Sequence, residues 1–345
     1  MWKVGVIGTG YWSEKHLKAW QRIPNASIQA LCNRSKDKLV QKAEQFDVST
    51  QNLFTSLDEM LAKADIDIVD IITGPETHLE FVTKAAQAGK HILCQKPFAV
   101  SLEEAEQMVA VAEANGVKLM VTENWRWLQP FQAIKKVLDS DCLGAVQTAR
   151  YHHSDFFTTR MSPDRTLPQP FLTRMPQLIF YEMGVHWFDT WRFLFGEPKR
   201  LYAELKTSSP YIVGEDTGIV TLGYDDFFGF LDMSWATRRE LTGPLEQDTV
   251  LAHHKESFVI DGTLATLKWT ADGQIIVIDN QGQHKMIAET TELDHEESHY
   301  RLQSHFIECL HTGKPFQTSG ADNLKTLRLA FATYQSSKEQ RAIQF

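Results

Sequence analysis

Short β-branched apolar runs recur along the first third of the chain, and polar, helix-forming segments separate them. Five runs read as strands buried on both faces: WKVGVIG (2–8), SIQALC (27–32), DIVDIIT (67–73), KHILCQ (90–95) and VKLMVT (117–122). Between them, Ser56, Thr77 and Ser101 each stand three residues before a glutamate, a spacing typical of a helix capping box. This alternation predicts an α/β domain with a doubly wound parallel sheet over residues 1–123.

The pattern changes after residue 123. One helix is expected over 124–139, and alternating runs with turn signals such as Asp261-Gly262 then predict a large, mostly antiparallel sheet. A helix rich in Trp and Phe at 178–195 interrupts the strands, and helices at 298–311 and 321–338 close the chain. Residues 124–345 are therefore predicted to form an α+β domain for substrate binding and oligomerisation.

Composition and charge exclude several functional classes. The 345 residues favour two domains, and the chain lacks any run of about 18 apolar residues that would indicate a membrane span. A net charge of −9 argues against nucleic acid as a partner. The opening MWKVGVIG shows no signal-peptide pattern, and the four cysteines form no CxxC pair. These features predict a cytoplasmic protein with free thiols that binds neither nucleic acid nor membrane.

The loop after the first predicted strand, GTGYWSEKH, is the first candidate for ligand binding. Gly8 would permit a tight turn, and Gly10 would let the backbone approach a pyrophosphate at the helix N-terminus. Thr9, Tyr11 and Trp12 complete the candidate loop. A plain glycine-rich turn is the alternative, but the position after the first strand of a βαβ unit favours a dinucleotide site.

Asn33, Arg34 and Ser35, with Lys38 one turn later, end the second strand, where a dinucleotide site reads the ribose. A site that prefers NAD usually places Asp or Glu there to accept from the 2′-hydroxyl. This segment has no carboxylate to repel a phosphate, and the Arg34 guanidinium can hold one bidentately. The pattern predicts a preference for NADP; the alternative is that Arg34 is solvated and Asn33 serves NAD.

Two further segments, TGPETH (73–78) and LCQKPF (93–98), follow the third and fourth strands, at the edge where open α/β sheets bind ligands. An ammonium after the fourth strand can hold a substrate hydroxyl and shuttle its proton. A surface position is the alternative for both the lysine and the histidine of these segments. The candidate cofactor residues here are Thr73, Gly74, Pro75, His78, Gln95 and Lys96.

YEMGVHWFDTW (181–191) places three titratable residues in an otherwise apolar helical pattern. Glu182 and His186 are i and i+4, and Asp189 is i+3 from His186, so one continuous helix would place Glu182 and His186 on one face. Buried charges need partners, and a histidine is a natural acid/base near neutral pH. The trio indicates a catalytic group, although a lone core histidine is usually structural.

HEESH (295–299) fits the H-E-x-x-H zinc pattern, but the sequence does not support a metal there. The segment lies at the polar start of its helix and is expected to face water, and no well-supported third ligand follows. No metal is predicted.

Taken together, these segments resemble the glucose–fructose oxidoreductase/inositol dehydrogenase/MocA (Gfo/Idh/MocA) family over essentially the whole chain. GTGYWSEKH is similar to its dinucleotide loop, TGPETH to its second cofactor loop, CQKP to its EKP motif and YEMGVHWFD to its D-x-x-x-H-x-x-D helix; ENWRW resembles the segment that opens its C-terminal domain. The resemblance implies a Rossmann domain, a second domain whose open sheet packs against another subunit in a homodimer or homotetramer, and a cis Lys96-Pro97 peptide bond.

The resemblance also implies hydride transfer between NADP or NAD and a carbon of a sugar, polyol or sugar derivative. His186 is expected to be the general base in oxidation, Lys96 to share the hydrogen bond of the reacting hydroxyl, and Glu182 to orient the pair. The residues expected to position the substrate are Asn124, Arg126 and Asp189, and Asn124 is also a cofactor candidate. Two interpretations of Trp125, Trp127 and Trp187 have equal weight: they stack against the apolar face of a sugar ring, or they pack in the core. Arg160, Arg165 and Arg174 either select an acidic or phosphorylated substrate or are simply exposed.

Three positions depart from the family pattern. Gln95 replaces the usual Glu and removes a negative charge near Lys96, Glu182 stands where Asp is commoner, and Ser13 replaces the third glycine and is expected to loosen helix–strand packing. Two rivals to a dehydrogenase remain open: a glycosidase that uses a tightly bound nicotinamide transiently, and a nucleotide-responsive binding protein without turnover.

Overall fold

The computed structural model describes residues 1–239, 241–245, 250–251, 253–290 and 293–345. The strands in these ranges are β1 (Trp2–Ile7), β2 (Ala26–Cys32), β3 (Leu53–Phe54), β4 (Ile68–Ile71), β5 (His91–Cys94), β6 (Leu119–Val121), β7 (Val146–Ser154), β8 (Arg200–Lys206), β9 (Thr217–Gly223), β10 (Phe228–Ser234), β11 (Lys255–Gly262), β12 (Ala265–Trp269), β13 (Gln274–Asp279), β14 (His284–Glu289) and β15 (Ile343–Gln344). The α-helices are α1 (Ser13–Arg22), α2 (Lys36–Phe46), α3 (Leu57–Lys63), α4 (His78–Gln87), α5 (Leu102–Ala114), α6 (Gln129–Leu138), α7 (Ile179–Glu182), α8 (Gly184–Phe195), α9 (His295–Thr312) and α10 (Gly320–Glu339).

The chain divides into two compact units. The first contains Met1–Leu128 and Asp294–Arg328, and the second contains Gln129–Leu293 and Leu329–Phe345. The sequence assigned residues 124–345 to one domain, so the grouping of 294–328 with the first unit departs from that assignment.

Helix α9 belongs to the first unit because its apolar face packs against α1. Leu302 and Phe306 of α9 are fully buried, and they share a core cluster with Leu17 and Trp20 of α1. Periodicity predicts such a helix, but it does not say which core the helix completes.

Six strands of the first unit form one parallel sheet in the order β3-β2-β1-β4-β5-β6. This order confirms the predicted doubly wound architecture, and its direction reverses between the neighbours β1 and β4, where such folds bind ligands. Strand β3 is missing from the prediction because two residues, Leu53 and Phe54, are too few to show a period.

The three predicted helix starts in the first unit are correct, but their capping differs. Ser101 accepts the hydrogen bond of the Glu104 N–H at 3.2 Å, as a capping box requires. The Thr77 hydroxyl instead donates to the Gly74 carbonyl at 2.9 Å and contacts the Thr73 hydroxyl at 2.7 Å. It therefore stabilises the loop before α4.

The single helix predicted over 124–139 is wrong. A 3₁₀ turn spans Trp125–Trp127, Leu128 is extended (φ −64°, ψ 142°), and α6 begins at Gln129. Pro130 explains the break, because its ring would clash with the carbonyl four residues earlier and is tolerated only in a first helical turn.

Nine described strands of the second unit form a sheet in the order β14-β13-β12-β11-β7-β10-β9-β8-β15, antiparallel except for the pair β7 and β10. This confirms the predicted mostly antiparallel sheet. Helix α8 approaches β10 closely: a Cβ built on Gly229 would lie 2.0 Å from a ring atom of Trp191. The glycine thus allows α8 to rest on the sheet.

Alternate residues of β8, β9 and β10 are buried, and the opposite face carries exposed apolar side chains. Tyr202 is 37% exposed, Ile219 48% and Phe228 43%. Among the described residues, no helix has the length and hydropathy of a membrane span. The four cysteines are free thiols, as predicted.

Candidate functional site

Three loops of the first unit leave the carboxyl edge of the parallel sheet, after β1, β4 and β5. They contain the predicted dinucleotide loop, the TGPETH segment and the Gln95-Lys96 pair. Since β1, β4 and β5 are neighbours in the sheet, the fold brings these three candidates to one edge, as the sequence predicts.

The dinucleotide loop has the geometry that its glycines imply. Gly8 has φ +99°, and a Cβ there would lie 2.3 Å from the Ile72 carbonyl oxygen, so the loop passes against the end of β4. A Cβ on Gly10 would meet no described atom within 4 Å, which leaves room for a ligand. The Ser13 hydroxyl is buried and donates to the Gly10 carbonyl at 2.7 Å. Ser13 therefore ties the loop to α1 through a bond that glycine could not make.

The exposed residues after β2 suit recognition of an anion. Arg34 and Lys38 are exposed, and within the described ranges neither forms an ion pair. The Asn33 amide donates to the Thr9 hydroxyl, which links this segment to the glycine loop. Ser35 is the N-cap residue of α2. The guanidinium of Arg34 is thus exposed at the carboxyl end of β2, next to a segment that is linked to the glycine loop.

His78 lies in the core, so its alternative surface position is excluded. Its Nδ1 contacts the Phe98 carbonyl at 2.9 Å and its Nε2 contacts the Thr73 carbonyl at 3.1 Å. Burial lowers the pKa of His78, and the backbone carbonyls partly oppose this shift. The ring has no exposed surface, so it supports the Thr73 loop and the segment after Lys96 by holding them together.

Lys96 is half-buried, and its peptide bond to Pro97 is cis, as the family resemblance implies. Its backbone N–H donates to the side-chain oxygen of Gln95 at 2.7 Å. The Gln95 amide nitrogen lies 3.0 Å from His16 Nε2. His16 Nδ1 in turn lies 2.9 Å from an Asp70 carboxylate oxygen, which also accepts the Trp20 N–H at 2.7 Å. A buried hydrogen-bond network therefore ends at the candidate catalytic lysine.

Asn124 and Arg126 make hydrogen bonds within the first unit. The Asn124 amide donates to the Ser298 hydroxyl at 2.6 Å, and Arg126 donates to the Gln317 carbonyl at 3.0 Å. Trp125 and Trp127 are buried beside them, at 2% and 7% exposure. These bonds hold the 3₁₀ turn, and they account for much of the conformation of both side chains.

The helix that carries the acidic and imidazole candidates in the second unit is broken, contrary to prediction. Helix α7 ends at Glu182, α8 begins at Gly184, and the His186 N–H donates to the Met183 carbonyl, three residues earlier, at 2.9 Å. Glycine is a weak helix former, and a Cβ at position 184 would lie 3.3 Å from Phe180 Cβ. The prediction of one continuous helix is therefore wrong, but the interruption is a single residue, Met183, whose backbone angles remain helical (φ −100°, ψ −33°).

His186 and Asp189 are buried in α8, at 5% and 0% exposure, while Glu182 is half-buried at the end of α7. Trp187, a suggested sugar platform, is fully buried against Phe180 and His153, with ring centroids 5.7 and 4.9 Å away. Core packing is thus the correct alternative for Trp187.

Glu215 is a supporting residue that the sequence reading missed. Its carboxylate accepts the backbone N–H groups of Leu178 at 3.2 Å and Phe180 at 3.0 Å, and the Tyr334 hydroxyl at 2.6 Å. Burial raises the pKa of Glu215, while these hydrogen bonds oppose the shift. Glu215 holds the start of α7, and no spacing in the sequence links it to residue 178.

Two of the three arginines in the proline-rich stretch share a cavity of the second unit. Arg160 and Arg165 line a space of about 350 Å³ together with Thr159, Ser162 and Tyr211. In this space Arg160 is half-buried and Arg165 is exposed. A role for them in selecting an acidic or phosphorylated substrate stays a prediction.

The HEESH segment does not face water throughout, contrary to expectation. His299 is 2% exposed, and its ring lies 4.9 Å from the His16 ring and is stacked at 6.4 Å on Trp12. Its Nδ1 contacts the His295 carbonyl at 2.6 Å. In the described part of the chain, no three His, Cys, Asp or Glu side chains are grouped as metal ligands.

Comparison with known proteins agrees with this geometry. Residues 2–123 match a profile described as an oxidoreductase family with an NAD-binding Rossmann fold, and residues 131–268 match the Gfo/Idh/MocA C-terminal domain. A D-apiose dehydrogenase of Paraburkholderia graminis is 35% identical over 99% of this chain and 89% of its own length. The chain belongs to the Gfo/Idh/MocA oxidoreductase family.

Two further relatives match nearly end to end. A D-apiose dehydrogenase of Rhizobium rhizogenes is 31% identical over 99% of this chain and 96% of its own length. An oxidoreductase from Agrobacterium radiobacter, solved in complex with NAD⁺, L-tartaric acid and magnesium, is 30% identical, covers 99% of this chain and 98% of its own, and superposes with a TM-score of 0.89. Family membership thus extends over both units, and the chain is an oxidoreductase with an NAD-binding Rossmann fold.

Proposed function

We propose that this protein is an NAD(P)-dependent dehydrogenase that acts on a CH–OH group of a sugar, polyol or sugar derivative. The observation that carries the proposal is Lys96, a half-buried lysine held at the carboxyl edge of the parallel sheet beside the candidate dinucleotide loop. The names of the two D-apiose dehydrogenases favour a carbohydrate substrate. The cofactor would supply the hydride chemistry, while the protein binds, orients and exchanges the proton.

Each loop has a role in this proposal. The open space at Gly10 and the start of α1 receive the pyrophosphate, and the Thr73 loop lines the cofactor. In oxidation, His186 accepts the proton of the reacting hydroxyl and Lys96 hydrogen-bonds to its oxygen; in reduction the same groups act as acids. The residues proposed to orient these groups and the substrate are Glu182, Asp189, Asn124 and Arg126.

A spectrophotometric screen tests the reaction class. The protein should change NAD(P)H absorbance with at least one aldose, polyol or keto-sugar, with apiose included because of the relatives. A cofactor that copurifies and never exchanges, with glycoside cleavage and no net change in NAD(P)H, would instead identify a glycosidase. Binding of nucleotide with no turnover of any substrate would identify a binding protein.

Replacing Lys96 by Met should leave folding and cofactor binding nearly intact and lower kcat by about 100- to 10,000-fold, because acid–base groups contribute on that scale. His186→Ala should lose a comparable factor. If both groups serve one proton transfer, the double variant should lose much less than the product of the two single losses. Stopped-flow kinetics with a confirmed substrate measures each factor.

Lys118→Met is the matched control for Lys96→Met. Lys118 is exposed and precedes β6, at the amino edge of the same sheet, so its replacement should leave kcat unchanged. Full activity in Lys96→Met would remove Lys96 from the mechanism.

We further propose that NADP is preferred over NAD, although the Agrobacterium relative was solved with NAD⁺. The exposed, unengaged Arg34 supports this preference. Arg34→Ala should weaken NADP binding by about 10- to 100-fold, the equivalent of one charge-assisted hydrogen bond, and leave NAD affinity unchanged. Calorimetric titration of apo protein measures both, with the exposed Lys63→Ala as control. Tighter binding of NAD to the wild type would refute the preference.

Finally, we propose a homodimer or homotetramer formed through the exposed face of the second sheet. Tyr202, Ile219 and Phe228 place exposed apolar side chains on this face. Sedimentation at micromolar concentration should show a species heavier than the 39.4 kDa chain. Ile219→Lys should shift it toward the monomer because a charge would be buried, whereas Leu264→Lys, at the turn between β11 and β12, should not. A monomeric wild type would contradict the proposal.

A further inference from the structure

The backbone around Lys96 is held at two points by buried histidines. His16 acts through the Gln95 side chain, which accepts the Lys96 N–H, and His78 Nδ1 contacts the Phe98 carbonyl. Both rings are fully buried. The position from which the Lys96 side chain extends is therefore set by groups that do not themselves face solvent.

Chemistry fixes the direction of each hydrogen bond in the His16 network. The Lys96 backbone N–H can only donate, so the group that accepts it at 2.7 Å is the Gln95 oxygen, and the Gln95 NH₂ must face His16 Nε2 at 3.0 Å. Nε2 is then an acceptor. At the other side of the ring, Nδ1–H donates to the Asp70 carboxylate at 2.9 Å. A neutral His16 with its proton on Nδ1 satisfies every bond.

A glutamate at position 95, the residue usual in this family, does not fit this arrangement. Its carboxylate could still accept the Lys96 N–H, but its second oxygen would face the lone pair of His16 Nε2. Two acceptors 3.0 Å apart require a proton between them. The His16 ring would become an imidazolium between the carboxylates at positions 70 and 95. The centroid of the His299 ring lies 4.9 Å from that of His16.

We propose that Asp70 and Gln95 are positioning residues for Lys96, matched to each other through the tautomer of His16. The acidic group stands at position 70 and the amide at position 95, and this division keeps His16 neutral while its Nε2 orients Gln95. The claim about Lys96 rests on the proposed dehydrogenase function, whereas the claim about the tautomer does not.

Exchanging both residues should invert the network and keep it satisfied. In wild type, one Asp70 oxygen accepts Trp20 Nε1–H at 2.7 Å, and the other lies 3.2 Å from His16 Nδ1. An asparagine at 70 can accept from Trp20 with its oxygen and donate to His16 Nδ1 with its NH₂. His16 Nε2–H is then free to donate to a glutamate at 95.

The test compares wild type, Gln95→Glu, Asp70→Asn and the double variant Asp70→Asn/Gln95→Glu. NMR of protein that contains ¹⁵N-labelled histidine reports the His16 tautomer without substrate. The His16→Gln variant identifies the His16 signal by its absence. We expect neutral Nδ1–H in wild type and Asp70→Asn, imidazolium in Gln95→Glu, and neutral Nε2–H in the double variant.

With a confirmed substrate, Gln95→Glu should lower kcat by up to about 100-fold, the scale of a misplaced catalytic group, and the double variant should regain most of that loss. If Gln95→Glu does not fold, the His16 tautomer in the double variant alone tests whether positions 70 and 95 are matched. An unchanged His16 tautomer in the double variant would show that residues 70 and 95 are not matched through His16. This conclusion holds whether or not the enzyme turns over a substrate. Wild-type kcat in Gln95→Glu, where NMR shows the imidazolium, overturns the positioning of Lys96.

Discussion

A carboxylate placed in a fully buried strand must be given hydrogen-bond donors, and Asp70 in the middle of the parallel sheet imposes this requirement on the first unit. The donors come from Trp20 and His16, both on α1. Helix α1 follows the glycine loop, and His16 also contacts Gln95 after β5. The hydrogen bonds that satisfy Asp70 therefore connect β4, which leads into the Thr73 loop, to the glycine loop and to the segment that contains Gln95 and Lys96. Loss of either partner would leave a buried charge short of donors, which costs far more than the bond contributes when it is intact.

The second unit uses a carboxylate in the same way. Glu215, just before β9, accepts two backbone N–H groups at the start of α7 and the Tyr334 hydroxyl. An anion at a helix N-terminus is favoured by the helix dipole as well as by the unpaired amides. The short helix that ends at Glu182 is too small to be stable alone, so this contact helps to explain why it forms immediately before His186.

Local chemistry made part of this structure predictable. The five longer strands of the first sheet, the helix starts at Ser56, Thr77 and Ser101, and the turn at Gly8 depend on residues close in sequence. Two of the failures have a different cause. The burial of His299 on Trp12 and the packing of α9 with the first unit depend on partners far along the chain. The helix breaks at Leu128 and Met183 instead follow from the nearby Pro130 and Gly184, which an interpretation of periodicity alone overlooks.

The same distinction applies to the candidate site. Motif spacing indicated Gly10, Arg34 and Lys96, because cofactor loops are short and contiguous. It assigned no role to Asp70, an acid within an apolar strand, or to His16, the last residue of the loop segment GTGYWSEKH. A buried acid within a predicted parallel strand was the available signal, since such a group needs partners.

The replacement of Glu by Gln at position 95 shows why a motif cannot be interpreted one residue at a time. Considered alone, the change removes a negative charge beside Lys96 and weakens the resemblance to the family. In the structure, a negative charge is present one hydrogen-bonded ring away, on Asp70, and the amide at 95 is the group that lets a neutral His16 connect the two. Since His16 can donate at one nitrogen and accept at the other, an acid on one side requires a donor on the other. Positions 70 and 95 are therefore constrained together, and the backbone position of Lys96 depends on both.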